Sequence, residues 1–175
     1  MTTVTIRPEL VTQFRKEPNF KLFKHAGLHC AVWRMTHNGN LNGYVGIPKD
    51  HPFYGKQYSD KVSTDKDPEF NGNFIGLLVA AMDNDHALGI YSIDMLLKAH
   101  GGITYSRDHL GAIGEGVLED LWWFGFDTNH AWDISPIQDE WDLGTYTDSQ
   151  YRNYLYVEEN VKSLAEQLAV KQTAL

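Results

Sequence analysis

Apolar and polar positions along this chain follow two periods, and glycine and proline separate the stretches. Cys30-Ala31-Val32-Trp33-Arg34-Met35-Thr36 is β-branched and aromatic, Asn38-Gly39 supplies a tight turn, and the pattern resumes from Leu41 to Ile47. This predicts a hairpin, closed off by Pro48 and Pro52, neither of which can donate a ladder hydrogen bond. Upstream, residues 1–27 mix Phe14, Phe20, Leu22 and Phe23 with Arg15, Lys16, Lys21 and Lys24, and Pro8 and Pro18 bracket a short helix. Tyr54 to Asn73 is polar, charged and glycine-bearing, the composition of a long loop.

Phe74 to Ala81 is apolar on every side and fits a buried strand or a buried helical turn equally. Asp85 to Lys98 is equally ambiguous, because Ile90, Ser92 and Asp94 interrupt the helical spacing of Leu88, Tyr91 and Met95. Ile103-Thr104-Tyr105 reads as a short strand, Gly111, Gly114 and Gly116 as a loop, and Leu121 to Phe126 as an apolar strand. The adjacent Trp122 and Trp123 must face opposite ways in that strand, so one of them meets a second layer, a cleft or a partner. The last signal has the other period. Tyr154, Val157, Val161, Leu164 and Leu168 recur at spacings 3, 4, 3 and 4, one face of an amphipathic helix that Asp148 or Ser149 can cap. The expected fold class is α+β, a single domain over residues 1–175. Its mainly antiparallel sheet carries an N-terminal helix and a C-terminal amphipathic helix packed on the sheet.

The 175 residues and 19.9 kDa suit one such domain. The longest strongly apolar run, Phe74 to Met82, is about half of what a bilayer span needs, and Met1 to Leu10 lacks the charged-then-apolar pattern of a secretory signal. A single cysteine, Cys30, forbids an intramolecular disulfide and a Cys-cluster zinc site. The expectation is a cytoplasmic protein with no membrane partner. A net charge of −8 argues against nucleic acid as a partner. The acidity is local, since residues 107–160 hold twelve acids and two bases. Such a stretch is a solvated loop surface, a cation-binding site or a surface imitating nucleic-acid charge.

Three segments concentrate polar groups beside glycine and aromatic residues. In the third, Asp127, His130 and Asp133 follow a strand at i, i+3 and i+6, so oxygen and nitrogen ligands can converge on one turn. With His100 or His51 they complete a mixed His/carboxylate set for a divalent metal, the one cofactor the sequence suggests. The plain alternative is that Asp127 and Asp133 cap turns and His130 is a hydrogen-bonded, half-buried histidine. In the second segment, Gly101 and Gly102 after His100 allow close backbone approach and offer N–H groups to an anion, with Thr104, Tyr105 and Ser106 following. Ser106 lacks the glycine-flanked elbow of a hydrolase nucleophile. In the first, Tyr44 precedes His51, which sits on a proline-stiffened turn with Tyr54 nearby. Trp123 is the remaining candidate ligand contact, and Cys30 reads as an inert core thiol.

The stretches Asn42-Gly43-Tyr44-Val45-Gly46-Ile47-Pro48, His51-Pro52-Phe53-Tyr54-Gly55, His100-Gly101-Gly102-Ile103-Thr104-Tyr105-Ser106 and Trp122-Trp123-Phe124-Gly125-Phe126-Asp127-Thr128-Asn129-His130 occur in this order, before a helix near Tyr151. This arrangement resembles a family of small uncharacterised proteins from phages and bacterial genomes. The resemblance spans roughly residues 42 to 168 and implies phage or prophage origin and cytoplasmic expression rather than a reaction. The third motif of that family has a small residue where Trp132 stands, so a bulky ring is expected to narrow whatever lies there. Two functions follow. One is an accessory protein that binds a small nucleotide-like or phosphorylated ligand, or a host protein, without turnover. The other is a hydrolase acting on such a ligand through a metal or a His/Asp acid–base pair, with His100, Asp127 and His130 as its catalytic groups.

Overall fold

The computed structural model of the chain describes residues 5–64, 89–110, 118, 120–138 and 148–173. The expectations for Phe74–Ala81 and for the glycine loop at Gly111, Gly114 and Gly116 lie outside these residues. The chain opens with β1 (Thr5–Ile6), a 3-10 turn (Pro8–Leu10) and α1 (Val11–Lys16). Pro8 starts this helical segment where its missing N–H costs nothing, and Glu17 leaves it in an extended conformation ahead of Pro18. β2 (Phe20–His25), β3 (Leu28–Arg34) and β4 (Leu41–Ile47) form an antiparallel meander. The Asn38-Gly39 turn joins the hairpin expected from the pattern. β2 was not expected, because Phe20-Lys21-Leu22-Phe23-Lys24-His25 does not keep a period-2 pattern and lies at a half-exposed sheet edge. Its turn to β3 also places Ala26 and Gly27 both at positive φ, 48° and 81°.

β5 (Lys61–Ser63) pairs with β6 (Ile90–Ser92), so the predicted long loop contains a short strand within its described part. A single helical turn, α2 (Ile93–Leu96), follows β6. β7 (Tyr105–Arg107) and β8 (Trp122–Phe126) complete the main sheet, whose antiparallel order is β2-β3-β4-β8-β7. β9 (Ile137–Gln138) pairs with β1 in a separate ribbon, and α3 (Tyr154–Thr173) ends the described chain. The fold class is therefore α+β, with a mainly antiparallel sheet and a C-terminal helix packed on it. None of the described helices is long and apolar enough to cross a membrane.

The period-2 pattern decides which residues share a face. Cys30 opposes Val45, which opposes Phe124. These side chains face α3, whose Val157, Val161, Leu164 and Leu168 are fully buried against them. Each buried aliphatic side chain contributes about 1.5–3 kcal/mol, which makes this contact the main stabilising layer. Burial pushes the Cys30 thiol up to about 11, as expected of an inert core cysteine. Ala31, Tyr44 and Trp123 face the other way and form a second cluster with Leu110. Trp122, on the helix side, is half-buried and donates from Nε1 to the carbonyl of Lys56 at 2.8 Å.

The cap of α3 differs from the expected Asp148 or Ser149. Asn153 accepts from the Tyr156 N–H at 2.9 Å, and Glu17 accepts from the Tyr154 N–H at 3.1 Å. Glu17 thereby satisfies a free helix donor and places its charge at the positive end of the helix dipole.

Candidate functional site

The end of β8, the turn before β7 and the start of α3 meet at one corner of the sheet, where His100, His130, Asp133, Arg152 and Tyr156 touch. Asp133 is the hub. Its Oδ2 accepts from His100 Nε2 at 2.8 Å and from the His130 backbone N–H at 3.0 Å, with His130 Nδ1 at 3.3 Å. Its Oδ1 accepts from Arg152 Nε at 2.7 Å. The carboxylate is 2% exposed. Burial alone would raise its pKa, but the hydrogen bonds from His100, Arg152 and the His130 N–H outweigh that and hold it well below the ordinary carboxylate range. Asp133 is thus a fixed anion between two imidazoles and a guanidinium.

The hydrogen-bond network assigns the tautomers. As a neutral imidazole presenting Nε2–H to Asp133, His100 accepts from the Tyr156 hydroxyl at Nδ1, 2.9 Å away. His130 presents Nδ1–H to the same carboxylate, which leaves the Nε2 lone pair on the open side of a ring that is 35% exposed. The two rings meet edge to face with centroids 5.3 Å apart. Arg152 also lies over the Tyr156 ring at 5.0 Å, so the arginine is braced by a carboxylate and an aromatic face together.

Gly101 makes this contact possible. It adopts φ +67°, and a Cβ there would stand 2.1 Å from His130 Cε1. The close approach that the paired glycines suggested is therefore made by His130. The neighbouring Gly102 N–H donates to the Ala99 carbonyl at 3.1 Å and closes a turn, so it is not offered to an anion.

Asp127 lies beside the cluster rather than in it. Its Oδ2 accepts from the Thr104 hydroxyl at 2.9 Å and its Oδ1 from the Asn129 N–H at 3.0 Å, while His130 Nε2 is 3.9 Å away. The candidate ligand set is accordingly His100, His130 and Asp133, whose ligand atoms lie within 4.8 Å of one another. Trp132, next to Asp133, is 55% exposed.

Other predicted contacts sit elsewhere. His51 is 3% exposed, accepts the Phe53 N–H at Nδ1 and donates from Nε2 to the Leu168 carbonyl, so it ties a turn to α3 instead of lining a cleft. Tyr54 packs on Trp122 against the helix-side core, with ring centroids 6.2 Å apart. Trp123 is 1% exposed within the second cluster and has no surface for a ligand. Tyr44, Thr104, Tyr105 and Ser106 do share a hollow, a cavity of about 530 Å³ alongside β7. Ser106 is buried there with its hydroxyl engaged, accepting from the Tyr58 N–H and donating to Gln57 Oε1. Sequence patterning does not point to Arg152 and Tyr156, which lie beside and in a helix whose signal is its apolar face. A usable signal existed, since Arg152 and Arg107 are the two bases in the acidic stretch 107–160.

No protein-family model, no curated protein and no solved structure matches this chain.

Proposed function

We propose that His100, His130 and Asp133 hold a divalent transition metal, zinc or a similar ion, and that the centre hydrolyses a small phosphorylated or nucleotide-like molecule. The observation that carries this reading is the convergence of two imidazole nitrogens on one buried, ionised carboxylate oxygen. Two histidines and a carboxylate are a ligand set suited to zinc-class ions, and three protein ligands leave a position for water. The surrounding groups have the roles that outer partners take at such centres. Tyr156 orients His100, and Arg152 holds the second carboxylate oxygen. If His100 gave its Nε2 lone pair to such an ion, the ring would carry its proton on Nδ1 and donate it to the Tyr156 hydroxyl. Asp127, held by Thr104, lies beside His130, where it would be placed to accept a proton from a water at the centre and to give it to the leaving group. On the motif resemblance, the setting is the cytoplasm of a phage-infected or prophage-bearing cell.

A second reading has its own support. Both oxygens of Asp133 are already satisfied by His100, Arg152 and the His130 N–H, as in a purely structural hub beneath a non-catalytic binding surface. Elemental analysis and thermal unfolding across Zn²⁺, Mn²⁺, Ni²⁺ and Mg²⁺ separate the two. An ion held at a hundred times its Kd stabilises by about 2.7 kcal/mol, or about 5–10 °C in a chain of this size. The shift is expected for zinc-class ions and is lost in His100→Ala, His130→Ala and Asp133→Asn. Absence of any shift in the unaltered protein removes the metal reading and leaves the binder.

A further inference from the structure

The cavity beside β7 is not part of the metal-ligand corner, yet the two are joined. Thr104 lines the cavity, and its hydroxyl holds Asp127, which faces His130. From Thr104 the cavity follows the strand to Arg107, three residues on, a span of about 10 Å at strand spacing. Its volume of about 530 Å³ lies in the range of small-molecule sites. The walls are aromatic: Trp33, Tyr44, Tyr58 and Tyr105 line it, with Tyr44 and Tyr105 meeting edge to face at 5.3 Å. Tyr44 is also held in place, its hydroxyl accepting from Asn42 Nδ2 at 3.2 Å. Among the described residues, Arg107 has no ion-pair partner, and the adjacent Asp108 carboxylate is engaged by His109 at 2.7 Å. In a segment with only two bases, one is spent on Asp133 and the other faces this hollow.

We propose that this cavity binds a planar aromatic anion of nucleoside monophosphate size. Its ring lies against the Trp33, Tyr44 and Tyr105 walls, its anionic group pairs with Arg107, and its other end reaches Thr104, whose hydroxyl holds Asp127 beside the corner. Aromatic walls hold a flat ring by stacking and burial, and the guanidinium fork matches a phosphate in geometry as well as charge. Treating the occupant as a substrate rests on the hydrolytic reading of the corner; its binding does not.

The test is titration calorimetry on the full chain in chelator-treated buffer, with AMP, adenosine and inorganic phosphate as separate probes. AMP is expected to bind at least about 10-fold more tightly than adenosine or phosphate, because only AMP fills both ends. Arg107→Ala is expected to bring AMP down to the level of adenosine, and Trp33→Ala to weaken AMP and adenosine alike. Both variants keep the zinc-induced thermal shift, which also shows that they are folded. AMP binding no tighter than phosphate, or unchanged in Arg107→Ala, overturns the proposal. AMP binding in a protein with no zinc shift upholds the cavity and removes the metal reading. A zinc shift without AMP binding does the reverse.

Discussion

Replacing Glu17 by Gln should test whether a buried ion pair outside the corner, bonded to the residues on either side of Arg152, holds the corner in shape. The Glu17 carboxylate accepts from Arg34 Nη2 at 2.7 Å, the Tyr151 hydroxyl at 2.5 Å and the Tyr154 N–H at 3.1 Å. Its side chain is 10% exposed and that of Arg34 4%. Arg34 in turn lies over the Phe14 ring at 4.3 Å and donates to Asn19, Gly39 and Tyr151. Stripping one partner from a buried pair costs about 3–5 kcal/mol, because the remaining charge stays desolvated. Arg34 keeps three neutral acceptors, so the lower end applies, about 3 kcal/mol, or about 6–12 °C in melting temperature. Urea unfolding followed by tryptophan fluorescence measures it. In a cycle with Arg34→Met, the double variant should lose clearly less than the sum of the two single losses, since no unpaired charge remains. Tyr151 and Tyr154 flank Arg152, so Glu17→Gln should also weaken the proposed zinc binding while leaving every proposed ligand intact. A loss under about 1 kcal/mol, or strict additivity, would refute the reasoning.

Two further outcomes follow from the geometry. Gly101→Ala forces a Cβ into the His130 ring and places a side chain at φ +67°, which costs about 1–3 kcal/mol in backbone strain alone. The expected result is a folded, less stable protein with a diminished zinc shift, and an undiminished shift would show that His130 is not held there. His51 is neutral in the core, with burial depressing its pKa below 6.5 despite the Leu168 carbonyl. As pH falls below the unfolded value, the unfolded chain takes up a proton that the folded one refuses. Its stabilising contribution is therefore complete above about pH 6.5 and is lost as pH falls toward and through the folded value. The urea midpoint should drop more between pH 7.5 and 5.5 in the unaltered protein than in His51→Gln, and equal drops would exclude this role.

The β-branched and aromatic run from Cys30 to Ile47, the apolar strand at β8 and the 3-4-3-4 spacing of α3 were legible because each pattern is long and heavily buried. Local composition and periodicity report burial, and that sufficed for the fold class. β2 escaped because an edge strand buries little, and because Ala26 adopts a left-handed conformation that no composition rule assigns to alanine. The helix cap escaped for a different reason, since Glu17, one of its two acceptors, lies 137 positions from the N–H it accepts.

The candidate corner divides in the same way. Residue types and short spacings singled out His100, Gly101, His130 and Asp133, because imidazoles and carboxylates beside glycine are informative wherever they stand. Nothing local distinguished His51, which satisfies both ring nitrogens inside the core, from His100, which turns a nitrogen toward a shared carboxylate. Nor could spacing show that Arg152 and Tyr156 complete the cluster, or that Asp127 answers to Thr104. Those assignments depend on which chain-distant segments the sheet and helix bring within 3 Å. The sum of many weak packing interactions sets that proximity, and no short pattern carries it.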